Sequence, residues 1–374
     1  MLRKISVLFF SFFFILTMFV GCGGGLYDGD TTYVTNYYVG GYSGNSIGTK
    51  VPGYWKNGGW TSLTPLDATK DSAVKSVYVY RGSVYAAGYS TNSSGVKVPG
   101  YWINGTWIAL NPVSVSKDAE VNSIYITTAG VVYAAGYSTN SGSIRIPGYW
   151  VDRDWVTLTA SSSFDAEVNA ITVSSAGVVY AAGYQGDSQD FRRRGIVTKL
   201  PAAAKTAVSW TGATKTVLPG YDVNKSSEAT SIYISGSTVY TTGYSTNTSN
   251  VEEAVYWRGA TRTALSQLST SKHSRAYGMA VVNGVIYIGG YSTDANEIRT
   301  PGRWVDGTWS ATNQLEATGS TITAVFVNPA GAFFYAGYSA STNTVAGYWE
   351  YSVPHLLSNL SANYSSQALS IFVY

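Results

Sequence analysis

The run Val131-Val132-Tyr133-Ala134-Ala135-Gly136-Tyr137, followed by Ile146-Pro147-Gly148-Tyr149-Trp150 and Trp155-Val156-Thr157-Leu158, decides the architecture. These short stretches are rich in β-branched and aromatic residues, and they are separated by Ser138-Thr139-Asn140-Ser141-Gly142 and by Asp152-Arg153-Asp154. That is the composition of strands joined by turns. Just upstream, Val121-Asn122-Ser123-Ile124-Tyr125-Ile126 and the turn signal Ala129-Gly130 supply one more strand, so the unit holds four. In sister copies the turn after the third strand reads Asn57-Gly58 and Asn104-Gly105, a dipeptide that suits a tight hairpin because both residues tolerate positive φ.

Working outward, the Gly-Tyr pair recurs at Gly41-Tyr42, Gly88-Tyr89, Gly136-Tyr137, Gly183-Tyr184, Gly243-Tyr244, Gly290-Tyr291 and Gly337-Tyr338, at spacings of 47, 48, 47, 60, 47 and 47. A Trp follows the Tyr by 13 residues at Trp55, Trp102, Trp150, Trp257 and Trp304, by 26 at Trp210 and by 11 at Trp349. Four-stranded units with a period of about 40 to 50 residues are propeller blades. The fold class predicted is all-β, a single seven-bladed β-propeller. The chain ends on a lone first strand, Ala368-Leu369-Ser370-Ile371-Phe372-Val373, while its first ordered stretch, Tyr33 to Leu63, lacks one. Pairing the two completes a blade and removes two open sheet edges.

The segments Tyr54-Trp55-Lys56-Asn57-Gly58 and Tyr101-Trp102-Ile103-Asn104-Gly105 resemble the YWKNG-type repeats of a family of bacterial lipoproteins and exported proteins. The resemblance covers nearly all of the mature chain and implies a WD40- or kelch-like propeller; it brings no activity with it. The copies around Trp210 and Trp349 depart most from the pattern.

The N-terminus reads as an export signal: Met1-Leu2-Arg3-Lys4 is basic, and Ile5 to Val20 is a run of sixteen uncharged residues, short of the roughly 20 a bilayer-spanning helix needs. Phe19-Val20-Gly21-Cys22 resembles a bacterial lipobox with Phe in the usual Leu position, which implies cleavage before Cys22 and acylation of that Cys. Cys22 is the single Cys, so no intrachain disulfide is possible. The expected organisation is a signal peptide over 1–21, a flexible tether over 22–32 and the propeller over 33–374. Gly23 lacks the Asp that marks inner-membrane retention in some bacteria, which leans toward the outer membrane or cell surface.

Cleavage leaves 22 basic against 21 acidic residues. A nearly neutral chain has no basic face for phosphate neutralisation, so nucleic acid is not an expected partner. His273 and His355 are the only histidines and lie in different repeats, no nucleophile elbow is present, and no His, Cys or carboxylate spacing suits a metal. The expectation is therefore no enzyme, no metal and no cofactor; only paired carboxylates from separate loops stay open as a glycosidase-like arrangement. The recurrent Tyr and Trp read as packing between blades, with Trp60, Trp107, Trp155 and Trp309 on the outermost strand as the candidates for exposure.

Two features stand above this background. The connections entering the first strands carry Asp71, Asp118, Glu120, Asp165, Glu167 and Glu228, a candidate ring for collecting a cation or a basic partner, against the plainer reading of solvated loop charge. The 60-residue repeat holds a thirteen-residue insertion containing Asp190-Phe191-Arg192-Arg193-Arg194-Gly195, whose Arg192, Arg193 and Arg194 would suit an acidic glycan, a lipid phosphate or an acidic protein patch. The expected function is a monomeric, non-enzymatic envelope lipoprotein that binds another envelope protein through this loop face. The alternative is a glycan-binding lectin with one site per blade, suggested by Ser90-Thr91-Asn92, Ser138-Thr139-Asn140 and Ser245-Thr246-Asn247.

Overall fold

The computed structural model describes residues 36–187, 204–327 and 332–374. They form seven four-stranded antiparallel sheets. Blade 1 combines Tyr37–Gly44, Lys50–Lys56 and Gly59–Ser62 with the last strand of the chain, Ser366–Val373. Blades 2 to 7 follow in order, their first strands being Ser72–Tyr80, Ala119–Ile126, Asp165–Val173, Ser227–Ser235, Ser274–Val282 and Ser320–Val327. Each first strand touches the first strand of the next blade all the way round, so these strands line the axis and the short fourth strands form the rim. Closure is as the offset termini predicted: Tyr37 pairs with Val373 and Ser43 with Ser366.

The Gly-Tyr signature has a steric cause. Every first strand carries a β-bulge opposite the second strand, leaving one residue unpaired: Lys75, Asn122, Asn169, Thr230, Tyr277, Thr323 or Leu369. The bulge drives the first-strand carbonyl two residues earlier onto the glycine. A Cβ on Gly136 would lie 1.9 Å from the Glu120 carbonyl oxygen, and the other six glycines of the signature face the same oxygen at 1.9 to 2.0 Å. The turns between third and fourth strands are the predicted tight hairpins: Asn104 and Gly105 sit at φ 47° and 92°, and Asn104 Oδ1 accepts the Val84 N–H at 2.9 Å.

The third-strand Trp residues are the core. Trp55, Trp102, Trp150, Trp210, Trp257, Trp304 and Trp349 are 0 to 1% exposed. Each donates its indole N–H, at 2.5 to 3.0 Å, to a carbonyl of the connection from the preceding blade, so one side chain fills the sheet interface and fastens the linker. Trp60, Trp107, Trp155 and Trp309 are half-buried, lying against their inner partners with ring centroids 4.3 to 4.6 Å apart. Trp60 donates to Ser62 Oγ and Trp155 to Thr157 Oγ1, whereas the Trp107 and Trp309 indole nitrogens are buried without a partner. The residue two places on is Ala109 in one case and Ala311 in the other. Ala109→Ser and Ala311→Ser are each expected to stabilise the protein by about 1 kcal/mol, read as a shift in urea midpoint at unchanged slope.

Candidate functional site

The connections between blades and the loops between second and third strands share one face, here the mouth face; the hairpin turns occupy the other, the turn face. At the mouth six of the seven first strands open on a residue whose side chain accepts a backbone N–H from the start of the third strand of the preceding blade; the first strand of blade 7 follows Gly319, which has no such side chain. Asp71 takes Lys50, Asp118 takes Lys97 and Asp165 takes Arg145, at 2.7 to 2.9 Å. Ser226, His273 and Ser365 do the same for Lys205, Glu252 and Thr344. Asp118 and Asp165 are therefore clamps between blades.

Two residues further on, the same joints carry ion pairs. Lys97 meets Glu120 at 2.6 Å, Arg145 meets Glu167, and Lys205 meets Glu228 at 3.1 Å. The next joint keeps the bond with its charges exchanged, Glu252 to Arg275 at 2.6 Å. Each cation of these pairs also lies over a signature Tyr, that of its own blade for Lys97 over Tyr89 at 4.4 Å, Arg145 over Tyr137 at 5.1 Å and Lys205 over Tyr184 at 3.9 Å, and that of the preceding blade for Arg275 over Tyr244 at 4.2 Å. Tyr137 completes its set by donating its hydroxyl to Glu120 at 2.9 Å. Burial pushes these phenols well above the ordinary range, as it pushes Tyr42 up to about 12. Burial also works to raise Glu120, but the Lys75 and Lys97 ammoniums hold it below the usual carboxylate range. At Glu167 burial prevails over the Arg145 guanidinium, and the carboxyl is raised.

Two spaces open on this frame. A cavity of about 440 Å³ lies at the mouth between blades 2, 3 and 4, lined by charged and hydroxyl groups including Lys75, Lys97, Lys117, Glu120, Arg145 and Glu167. The axial channel, about 330 Å³, is lined by all seven bulge residues together with Glu228 and Tyr338. Asn122, Asn169, Thr230 and Thr323 each bond a backbone carbonyl of the next first strand at 2.8 to 2.9 Å, forming a polar belt around the axis.

Of the candidate residues, Glu120 and Glu167 thus meet in one cavity with Asp118, while Asp165 lies beside it, 3.7 Å from the Arg145 guanidinium. At the joints Asp118 and Asp165 each accept a backbone N–H, and Glu120 and Glu167 each hold a cation. Among the described residues no group of three or more His, Cys, Asp or Glu is placed to hold a metal. Arg192, Arg193, Arg194 and Cys22 lie outside the described residues; the strands flanking the insertion, Val179–Asp187 and Thr206–Thr211, run to and from the mouth face. The Ser-Thr-Asn loops are occupied internally: Asn92, Asn140 and Asn247 each accept the N–H four residues on at 3.0 Å, and Ser90, Ser138 and Ser245 each accept an N–H of a blade connection. His273 is one of the clamps and His355 stacks on Tyr348. Lys75 and Lys117 are the site residues that sequence reasoning passed over. The signal for the joints themselves was present, because cation and carboxylate stand 22 or 23 residues apart in three successive repeats, with the order reversed at Glu252 and Arg275.

No family model matches the chain, and no curated protein matches it. Solved structures do. The SapL1 lectin in complex with alpha methyl fucoside is 13% identical at a TM-score of 0.42, over 76% of this chain and 94% of that one. The WD40 β-propeller domain of Doa1 is 14% identical at 0.43, over 83% and 89%, and YjhT is 12% identical at 0.43, over 79% and 99%. At these identities and scores no ligand, partner or activity carries across to this chain.

Proposed function

We propose that the protein is an exported, lipid-anchored and non-catalytic binding module of the cell envelope, which engages another envelope protein through its mouth face. The observation that carries this reading is the polar cavity between blades 2 and 4: a closed ring, otherwise repetitive, opens a recess of about 440 Å³ lined by charged and hydroxyl side chains at one sector of one face. Asn36, the first described residue, lies on the turn face, where its N–H donates to the Tyr374 carbonyl at 3.0 Å. Acylation at Cys22 would anchor the protein to the membrane. A lectin with one equivalent site per blade is less favoured, since the Ser and Asn side chains of the loops that would form those sites are used within the fold.

The test is site-specific photo-cross-linking in intact cells. A cross-linker at Ser116, on the mouth face, is expected to capture a discrete neighbour in the membrane fraction, and one at Ala129, in a hairpin turn, is expected to capture none. The Cys22→Ser chain should lose both the membrane fractionation and the captured species. Capture from Ala129 alone, or from neither position, would remove the mouth face as the recognition surface.

A further inference from the structure

The cavity at the mouth of blades 2 to 4 has an arrangement of charge that selects its occupant. Its wall holds four cations, Lys75, Lys97, Lys117 and Arg145, and three carboxylates, Asp118, Glu120 and Glu167, with Asp165 beside it against Arg145. The carboxylates at the joints are set back: the Glu120 and Glu167 side chains are 10% and 12% exposed, whereas those of Lys75, Lys97 and Arg145 are 35 to 36% exposed. What faces the space is chiefly the cations and the hydroxyls, together with Asp118, the one exposed carboxylate of the wall, whose Oδ1 accepts the Lys97 N–H.

The cations are not equally engaged. Lys97 and Arg145 are held in close pairs and over tyrosine rings. Lys75 reaches Glu120 only at 4.0 Å, sharing a carboxylate that Lys97 already occupies. The Lys117 ammonium bonds a hydroxyl, Ser143 Oγ at 3.1 Å, and makes no ion pair among the described residues. A partly desolvated ammonium without a counter-charge favours a ligand that brings one. Lys117 is the one cation of the wall without a carboxylate partner among the described residues, so a single negative charge answers it, while a dianion would stand against the carboxylates set behind the other cations. The wall is polar throughout, and about 440 Å³ lies at the low end of small-molecule sites.

We infer that this cavity binds a small polar monocarboxylate, with the carboxylate held by the Lys75 and Lys117 ammoniums and the rest of the molecule hydrogen-bonded by the Ser116, Ser143 and Thr139 hydroxyls. The inference deepens the reading of the mouth face as the recognition surface and rests on it. A uronic acid unit of an envelope saccharide and an acidic group presented by a protein partner share this chemistry, and the free probe addresses the pocket itself.

The experiment is calorimetric titration of the purified chain with sodium glucuronate, with glucose and inorganic phosphate as parallel arms. Saturable glucuronate binding is expected, weakened severalfold between 50 and 200 mM salt as the ammoniums are screened. Glucose, which lacks the charge, should bind at least tenfold more weakly, and phosphate should compete poorly. Lys117→Met and Lys75→Met should each weaken glucuronate binding about tenfold, while Lys70→Met, at the equivalent place in the preceding connection, should leave it unchanged. Melting curves of all three variants verify the fold. Absence of glucuronate binding, equal binding of glucose, or an unaltered Lys117→Met overturns the inference. Cross-linking of a partner from Ser116 without glucuronate binding would leave the mouth-face reading standing and remove the carboxylate site alone.

Discussion

A chain ending at Ser365 is expected not to fold into a stable monomer, although it lacks only nine residues. The deleted strand supplies the innermost strand of blade 1. Its Ala368, Ile371 and Val373 lie in one core cluster with Val39, Trp55 and Phe334, and Phe372 packs between blades 7 and 2 against Phe326 and Tyr78. At about 1.5 to 3 kcal/mol for each large apolar side chain buried, the loss is of the order of 5 kcal/mol or more, comparable with the whole net stability of a domain. The strand Tyr37–Gly44, buried along nearly its whole length, would become an open edge beside an empty position. The truncated chain should elute as aggregate and melt without a cooperative transition. A synthetic peptide of residues 366–374 should restore a native-like melt by strand addition. A truncated chain that stays monomeric and melts like the parent would show that the ring does not depend on this closure.

The same strand illustrates what could be read from the amino acids. Blade number, strand order and closure were legible because each rests on a pattern repeated seven times, and a repeated pattern separates the common requirement from local accident. The bulges were not legible, since each adds one residue to every copy alike and the period absorbs it. For that reason Lys75 and Asn122 gave no sign of pointing to the axis and the cavity. Asp118, Glu120, Asp165 and Glu167 were visible as a recurring acidic group, yet their partners stand in the preceding blade, about 20 to 23 residues back. Read locally they are loop charges; only the joint between two sheets makes them clamps and ion pairs. The outer Trp residues were harder still, because half-burial of Trp107 and Trp155 depends on the ring of the inner Trp beneath each.

The glycine of the signature offers the sharpest single substitution. A methyl on Gly136 would stand 1.9 Å from the Glu120 carbonyl oxygen, 3.0 Å from its carbonyl carbon and 3.2 Å from the Asn122 nitrogen, so all three atoms it meets first are backbone and none can swing aside. Relief requires shifting the bulge of blade 3, which is fixed by the Asn122 bond to the Val168 carbonyl at 2.9 Å. Gly136→Ala is therefore expected to destabilise the protein by about 3 kcal/mol, at the upper end for overpacking. Gly59→Ala, whose nearest atom would be 3.5 Å away, is expected to change stability by less than about 0.5 kcal/mol. The comparison with Gly290→Ala ties the fold to the site. Gly290 faces the Arg275 carbonyl at 2.0 Å, so its stability cost should match that of Gly136, but its bulge lies in blade 6, away from the cavity. Displacing Glu120 and Asn122 moves the cavity wall, so glucuronate affinity should fall in Gly136→Ala and persist in Gly290→Ala under conditions where both remain folded. Equal stability of Gly136→Ala and Gly59→Ala in urea would refute the steric account of the repeat, and equal glucuronate binding by the two bulge variants would detach the cavity from the blade 3 bulge.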